Sequence, residues 1–130
     1  MLRRFLLRIA LVSVLVPTVG CGTEQVNITA AENGKTIDVN TGAKIVVELE
    51  GNPSTGYTWE AKDLDASILQ QLGAIRFKSG NPGLVGAGGM LTLTFKTLKV
   101  GMTTLSLVYH RPWETNVKPR GTFFVTINSK

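Results

Sequence analysis

Apolar residues in this chain recur at every second position, in short runs broken by turn residues, and this period constrains the fold more than any other feature. Ile45, Val47 and Leu49 alternate with Lys44 and Glu48; Leu91, Leu93 and Phe95 alternate with Thr92, Thr94 and Lys96. Leu105, Leu107 and Tyr109 alternate with Thr104 and Ser106, although Val108 makes that run apolar on both faces, and Phe123, Val125 and Ile127 close the series. A period of two puts one face of a strand in a core, whereas a helix needs a period of 3.6. Shorter extended candidates are Val26 to Ile28, Thr36 to Val39, Tyr57 to Ala61 and Ile75 to Lys78, punctuated by Asn33-Gly34, Thr41-Gly42 and Val100-Gly101 as turns. Leu64, Ile68, Leu69 and Leu72 are the exception: their spacing, with Asp65 as a cap, predicts one short helical segment.

Many short strands in about 100 residues predict an all-β, antiparallel β-sandwich with that one helical segment. The class is immunoglobulin-like at most, because the paired cysteines and packed tryptophan of antibody domains are absent. The only cysteine is Cys21, so no disulfide forms within the domain and stability must come from the core.

Residues 1–20 read as an export signal, with Arg3, Arg4 and Arg8 before the apolar run Ile9 to Val16. That run is shorter than the roughly 20 apolar residues needed to span a bilayer. Without those three arginines the net charge of +5 falls to +2, and no basic stripe interleaved with aromatics remains for nucleic acid. Thr18-Val19-Gly20-Cys21 resembles the lipobox of bacterial lipoproteins, with Thr18 where an aliphatic residue is usual. The expected organisation is a lipoprotein signal peptide over 1–20, a lipidated Cys21 with a short tether to 25, and one domain over 26–130. The alternative for Cys21 is a secreted thiol just past an ordinary cleavage site.

Following the chain direction up and down the strands places three turn-rich strings at one end. The strand ending near Glu50 runs up to Asn52-Pro53-Ser54-Thr55-Gly56-Tyr57; Ile75 to Lys78 runs up to a loop ending Gly86-Ala87-Gly88-Gly89; Thr103 to His110 runs up to Arg111-Pro112-Trp113. The same count puts Val26 at the other end, and it depends on the helical segment adding no hidden strand. Singly, each string has an ordinary structural reading. The first is a turn, in which proline fixes one φ, glycine admits a positive one, and Asn, Ser and Thr bond nearby amides. The second is a glycine-rich loop without the lysine, or the following helix, of a phosphate site. The third is more pointed, because Trp and Arg dominate binding hot spots and a proline-stiffened loop holds Trp113 out at low entropic cost. Trp59, within a strand, reads as core.

In this order the three strings resemble the chagasin-type inhibitors of papain-like cysteine proteases, whose pattern is Asn-Pro-Thr-Thr-Gly-Tyr, Gly-x-Gly-Gly and Arg-Pro-Trp. The likeness runs from about Thr29 to Ile127, and Ser54 in place of threonine is the one clear departure. The resemblance implies an immunoglobulin-like sandwich that occludes the protease cleft reversibly and competitively. Ser54, Thr55 and Gly56 would enter at the catalytic centre, with Asn52, Pro53 and Tyr57 in the same loop. Gly86, Ala87, Gly88 and Gly89 would pair by backbone on one side, and Arg111, Pro112 and Trp113 would stack on the other.

An enzyme is not expected. Ser54, the single histidine His110 and an acid can be drawn as a triad, but nothing in the sequence indicates its geometry, and His110 reads as a strand-end residue supporting the third loop. No ligand spacing suggests a metal, and no cofactor is expected. The expected product is a monomeric inhibitor, exported and anchored by lipid on Cys21 to a bacterial membrane. Gly22 after the cysteine mildly favours an outer-membrane or outward-facing site. The other reading of the same residues is a lipid-anchored sandwich that binds another protein or a glycan through these loops.

Overall fold

The computed structural model describes residues 24–130; the expected signal over 1–20 and Cys21 lie outside the described residues. Among the described residues nine strands form two sheets: β1 (Gln25–Ile28), β2 (Thr36–Val39), β3 (Lys44–Gly51), β4 (Thr58–Lys62), β5 (Leu69–Gln71), β6 (Arg76–Ser79), β7 (Gly89–Thr97), β8 (Gly101–His110) and β9 (Gly121–Ser129). One sheet runs β1-β3-β7, with β5 and β6 on the far edge of β7; the other runs β2-β9-β8-β4. The alternating residues face inward as the period requires. Ile45, Val47, Leu93, Phe95, Leu105, Leu107, Val125 and Ile127 are buried to within 1% of their surface, closing a core between the sheets.

The sheets are mixed rather than wholly antiparallel. β1 lies parallel to β3, and β2 lies parallel to β9. The cause is a crossover at the start of the domain, where the chain leaves one sheet after β1 and joins the other as β2. The turn Ala30–Glu32 makes the crossing, held by a reciprocal cap. The Thr29 hydroxyl accepts from Ala31 N at 3.3 Å, and the Glu32 carboxylate accepts from Thr29 N at 2.7 Å.

The segment expected to be helical makes one turn and then a strand. Asp65 does cap it, accepting from Ser67 N at 3.0 Å and from the Ser67 hydroxyl at 2.6 Å, and its carbonyl accepts from Ile68 N and Leu69 N. Leu69 to Gln71 then pair with Thr97 to Phe95 of β7. The nine-residue β7 extends past the four-residue β6, and without β5 the backbone groups at that end of its edge would go unpaired, which is costly. Both β5 and β6 are antiparallel to β7, so they run in the same direction and the hidden strand leaves the up-and-down count intact.

Candidate functional site

The strand registers bring the three strings to one end. Gly51, the last residue of β3, pairs with Gly89 at the start of β7; Gly89 also pairs with Ser79 at the end of β6. Thr58 at the start of β4 pairs with His110 at the end of β8. The first loop (52–57), the second (80–88) and the third (111–120) therefore emerge side by side. Val26 pairs with Ile45 near the opposite end.

The first loop shapes itself from its own residues. The Asn52 side-chain oxygen accepts from Ser54 N at 3.1 Å and from the Ser54 hydroxyl at 2.6 Å, Pro53 opens a single 3₁₀ turn, and Gly56 ends it at φ 83°. Glycine is required there for that positive φ and for a second reason. The benzo ring of Trp113 covers it, so a Cβ on residue 56 would overlap Cη2 and lie 3.0 Å from Cζ2 of Trp113.

Each neighbouring loop is tied to the first. The Asn52 amide nitrogen donates to the Gly86 carbonyl at 2.9 Å, joining the first loop to the second. Arg111 Nε donates to the Thr55 carbonyl at 3.0 Å, joining the third to the first, while its Nη1 reaches Glu114 at 3.1 Å. Beneath the loops lies an aromatic column. Tyr57 and Tyr109 have ring centroids 5.3 Å apart, Tyr109 and Trp59 5.1 Å, and the guanidiniums of Arg111 and Arg120 sit 4.6 and 5.2 Å from the Tyr57 ring centre. The Tyr109 hydroxyl accepts from Asn52 N at 2.9 Å, and Trp59 Nε1 donates to the Glu50 carbonyl at 3.0 Å.

Thirteen residues were singled out from the three strings, and the structure sorts them. Pro53, Ser54, Thr55, Gly86, Gly88, Pro112 and Trp113 are exposed, and Trp113 keeps 67% of its surface open. Asn52, Gly56, Tyr57, Ala87, Gly89 and Arg111 are half-buried and hold the shape. Gly89 is glycine for packing, since a Cβ there would overlap the Lys78 carbonyl oxygen; Gly86 is glycine for its φ of 78°. Gly88 meets neither constraint, its nearest contact being ordinary at 3.5 Å; its carbonyl accepts from Gly80 N at 3.1 Å, and its exposed face carries no side chain to hold off an approaching chain. Trp59 packs half-buried against the core.

Ser54 and His110 are turned to other partners. The serine hydroxyl is bonded to Asn52, and His110 Nε2 lies 2.7 Å from Glu60 across β4 and β8, so the imidazole ties two strands together beside the third loop. Sequence reasoning missed Tyr109 and Arg120 as supports, and missed Leu84 and Val85, which stand 60% and 102% exposed on the second loop. Tyr109 gave a signal only as the last inward position of an alternating run, where a polar tip on an apolar ring suits a strand end.

The comparisons agree with this architecture. A family model described as chagasin family peptidase inhibitor matches residues 38–127. Amoebiasin-2 of Entamoeba histolytica is 33% identical over 92 residues, covering 71% of this chain and 75% of the relative. Chagasin of Trypanosoma cruzi is 30% identical over 89 residues, 66% of this chain and 81% of its own. The crystal structure of a cysteine protease inhibitor from Entamoeba histolytica superposes with a TM-score of 0.74 at 28% identity, covering 85% of this chain and all of that one. With its sandwich, its three braced loops and a family match over most of its length, the chain belongs to the chagasin family of peptidase inhibitors.

Proposed function

We propose that this protein is a reversible, competitive inhibitor of papain-like cysteine proteases that fills the active-site cleft with its three loops. The bracing of the loops carries this reading. Asn52 ties the first loop to the second, and Arg111 and Trp113 tie the third to the first. Loops that are already ordered lose little entropy on docking. The family membership supports it, as does the solved relative described as a cysteine protease inhibitor.

In this reading Ser54, Thr55 and Gly56 face the catalytic cysteine and histidine of the protease. The tight turn, pinned by Asn52, offers no extended peptide to the nucleophile, so the inhibitor stays uncleaved. Gly88 pairs by backbone on one side of the cleft, and Trp113 stacks on the other beside Pro112. The protein blocks a catalytic centre and carries none of its own. It acts as a monomer, exported and held to a bacterial membrane by lipid on Cys21, with Gly22 favouring an outward-facing membrane.

The test is titration of papain with a chain beginning at Gly22. Reversible, competitive inhibition with the inhibitor intact and serine proteases unaffected is the expected result. Failure of the folded protein against several papain-like enzymes at micromolar concentration would replace inhibition with a loop-borne binding function for another protein or a glycan. For the anchor, wild type should fractionate with membranes and Cys21→Ser should not.

A further inference from the structure

At the end of the sandwich opposite the loops, the β7–β8 hairpin exposes three apolar side chains within five residues. Leu98 is 43% exposed, Val100 69% and Met102 61%. Single exposed hydrophobics are ordinary, but a cluster at one tip marks a contact surface. Two lysines stand at the same end of the sandwich. Lys44 and Lys96 face each other across β3 and β7, a like-charge pairing that is destabilising unless an anion lies between. Among the described residues neither forms an ion pair, and Lys99 sits within the hairpin tip itself.

The carboxylates at this end are mostly occupied. Glu24 accepts from Asn40 N at 3.1 Å, Asp38 binds Lys130 and Asn128 at 3.0 Å each, and Asp65 is bonded to Ser67; Asp63 is the exposed exception. The chain also enters the domain here, where the Glu24 carbonyl accepts from Lys44 N at 2.8 Å. Cys21 lies three residues earlier in sequence, and three extended residues reach at most about 11 Å.

We propose that this end of the domain, formed by Leu98, Val100 and Met102 with Lys44, Lys96 and Lys99, rests on an anionic lipid surface. The inference rests on the anchoring of Cys21. So short a tether holds whichever end it leaves against the bilayer. The apolar tip then enters the headgroup region, as the apolar faces of membrane-surface segments do to a depth of about 5–10 Å, and the lysines meet lipid phosphates. β8 spans the sandwich from Gly101 at this end to His110 beneath the third loop, so at roughly 3.3 Å per residue the three loops stand about 30 Å above the surface. The inhibitor is thereby presented outward, toward proteases arriving from solvent.

The experiment reconstitutes the full-length protein, as isolated from membranes, in vesicles of phosphatidylglycerol and phosphatidylethanolamine carrying lipid-borne quenchers. A fluorophore is placed at Val100→Cys or, as reference, at Leu84→Cys; both sites are exposed. Quenching at position 100 should exceed that at 84 by about threefold or more, and Lys44→Gln with Lys96→Gln should reduce the difference. Equal quenching at both sites on a protein whose Cys21 is lipidated by mass spectrometry overturns the docking while leaving the anchor in place. An unmodified Cys21 with the protein unbound to vesicles overturns anchor and docking together. An unmodified Cys21 with quenching retained at 100 overturns only the anchor.

Discussion

The indole of Trp113 covers the α-carbon of Gly56, so that the exposed aromatic of the third loop and the turn-ending glycine of the first occupy one another's space. Neither residue is independent. Trp113 is held in place without being buried, and Gly56 is barred from any side chain both by its φ of 83° and by the ring above it. An exposed indole held in one orientation is a contact surface whose ordering cost has been met within the free protein.

Trp113→Ala should therefore weaken inhibition of papain by about 2 kcal/mol or more, roughly thirtyfold. It should move the melting transition only slightly, since the ring keeps 67% of its surface open and surface substitutions typically shift stability by about 0.5 kcal/mol. A large drop in melting temperature would give the indole a structural role instead.

Gly56→Ala has two costs. A non-glycine residue in the left-handed region costs on the order of 1–3 kcal/mol, and the new methyl group must push Trp113 aside. In a Trp113→Ala background only the first cost remains. The two substitutions should thus couple by about 0.5–3 kcal/mol in a double-mutant cycle of stability, and additivity would mean that the ring leaves Gly56 free in solution.

Asn52→Ala removes an N-cap and the bond to Gly86 together. Loss of the cap alone costs about 1 kcal/mol, and the first and second loops should lose their common register. Inhibition should fall by about tenfold or more. Ser54→Thr keeps the hydroxyl bonded to Asn52 Oδ1, and its inhibition constant should stay within about threefold of wild type. A Ser54→Thr variant as weak as Asn52→Ala would show that the hydroxyl's position, and not the cap, governs the loop.

The strands and the shared end of the three loops were legible because period-two alternation reads directly as strand and strand count reads as direction. β2 was found at its observed bounds, Thr36–Val39, and the other long strands within two residues of theirs. The parallel pairings of β1 and β2 were not legible, because a four-residue strand carries no mark of which neighbour it joins. Nor was β5. Leu64, Ile68, Leu69 and Leu72 have helical spacing, and the need that overrides it, the uncovered edge of β7 at Phe95 to Thr97, exists only in three dimensions. Within the site, the motifs marked the residues from which the clustered loops are built but not which of them face outward. Asn52, Tyr57 and Arg111 proved to be supports, and Tyr109, more than fifty residues from the first two in sequence, proved to be the foundation of the first loop.

Three carboxyl groups predict the acid limb of stability. A backbone bond from Thr29 lowers the pKa of Glu32, a bond from the Lys130 side chain lowers that of Asp38, and a bond from the Ser67 hydroxyl lowers that of Asp65, below ordinary values of 4.5, 3.8 and 3.8. Each group holds its proton less tightly in the folded chain than in the unfolded one. Its contribution is present above the ordinary value and is lost as pH falls through the lower, folded one. Melting temperature should thus be flat near neutrality and decline from about pH 4.5 downward. Asp65→Asn should lower it at pH 7 and shrink the further drop by pH 3; an undiminished drop would remove Asp65 from the account.

Tyr109→Phe isolates the support beneath the first loop. The ring stays, so its contacts with Tyr57 and Trp59 persist, and only the hydroxyl that accepts from Asn52 N is lost. A partly buried N–H left without an acceptor costs about 1–3 kcal/mol. That cost falls where β3 passes into the loop, because Asn52 follows directly on Gly51, the last residue of the strand. The first loop should respond by opening more often, while the core, whose residues are untouched, keeps its cooperative transition. Amide exchange at Asn52 should therefore speed up by about tenfold, with a matching loss of papain inhibition and a melting temperature lowered by only a few degrees. Unchanged exchange at Asn52 together with full inhibition would mean that water replaces the phenol without consequence, and that the loop's rigidity comes from Asn52, Gly56 and Trp113 alone.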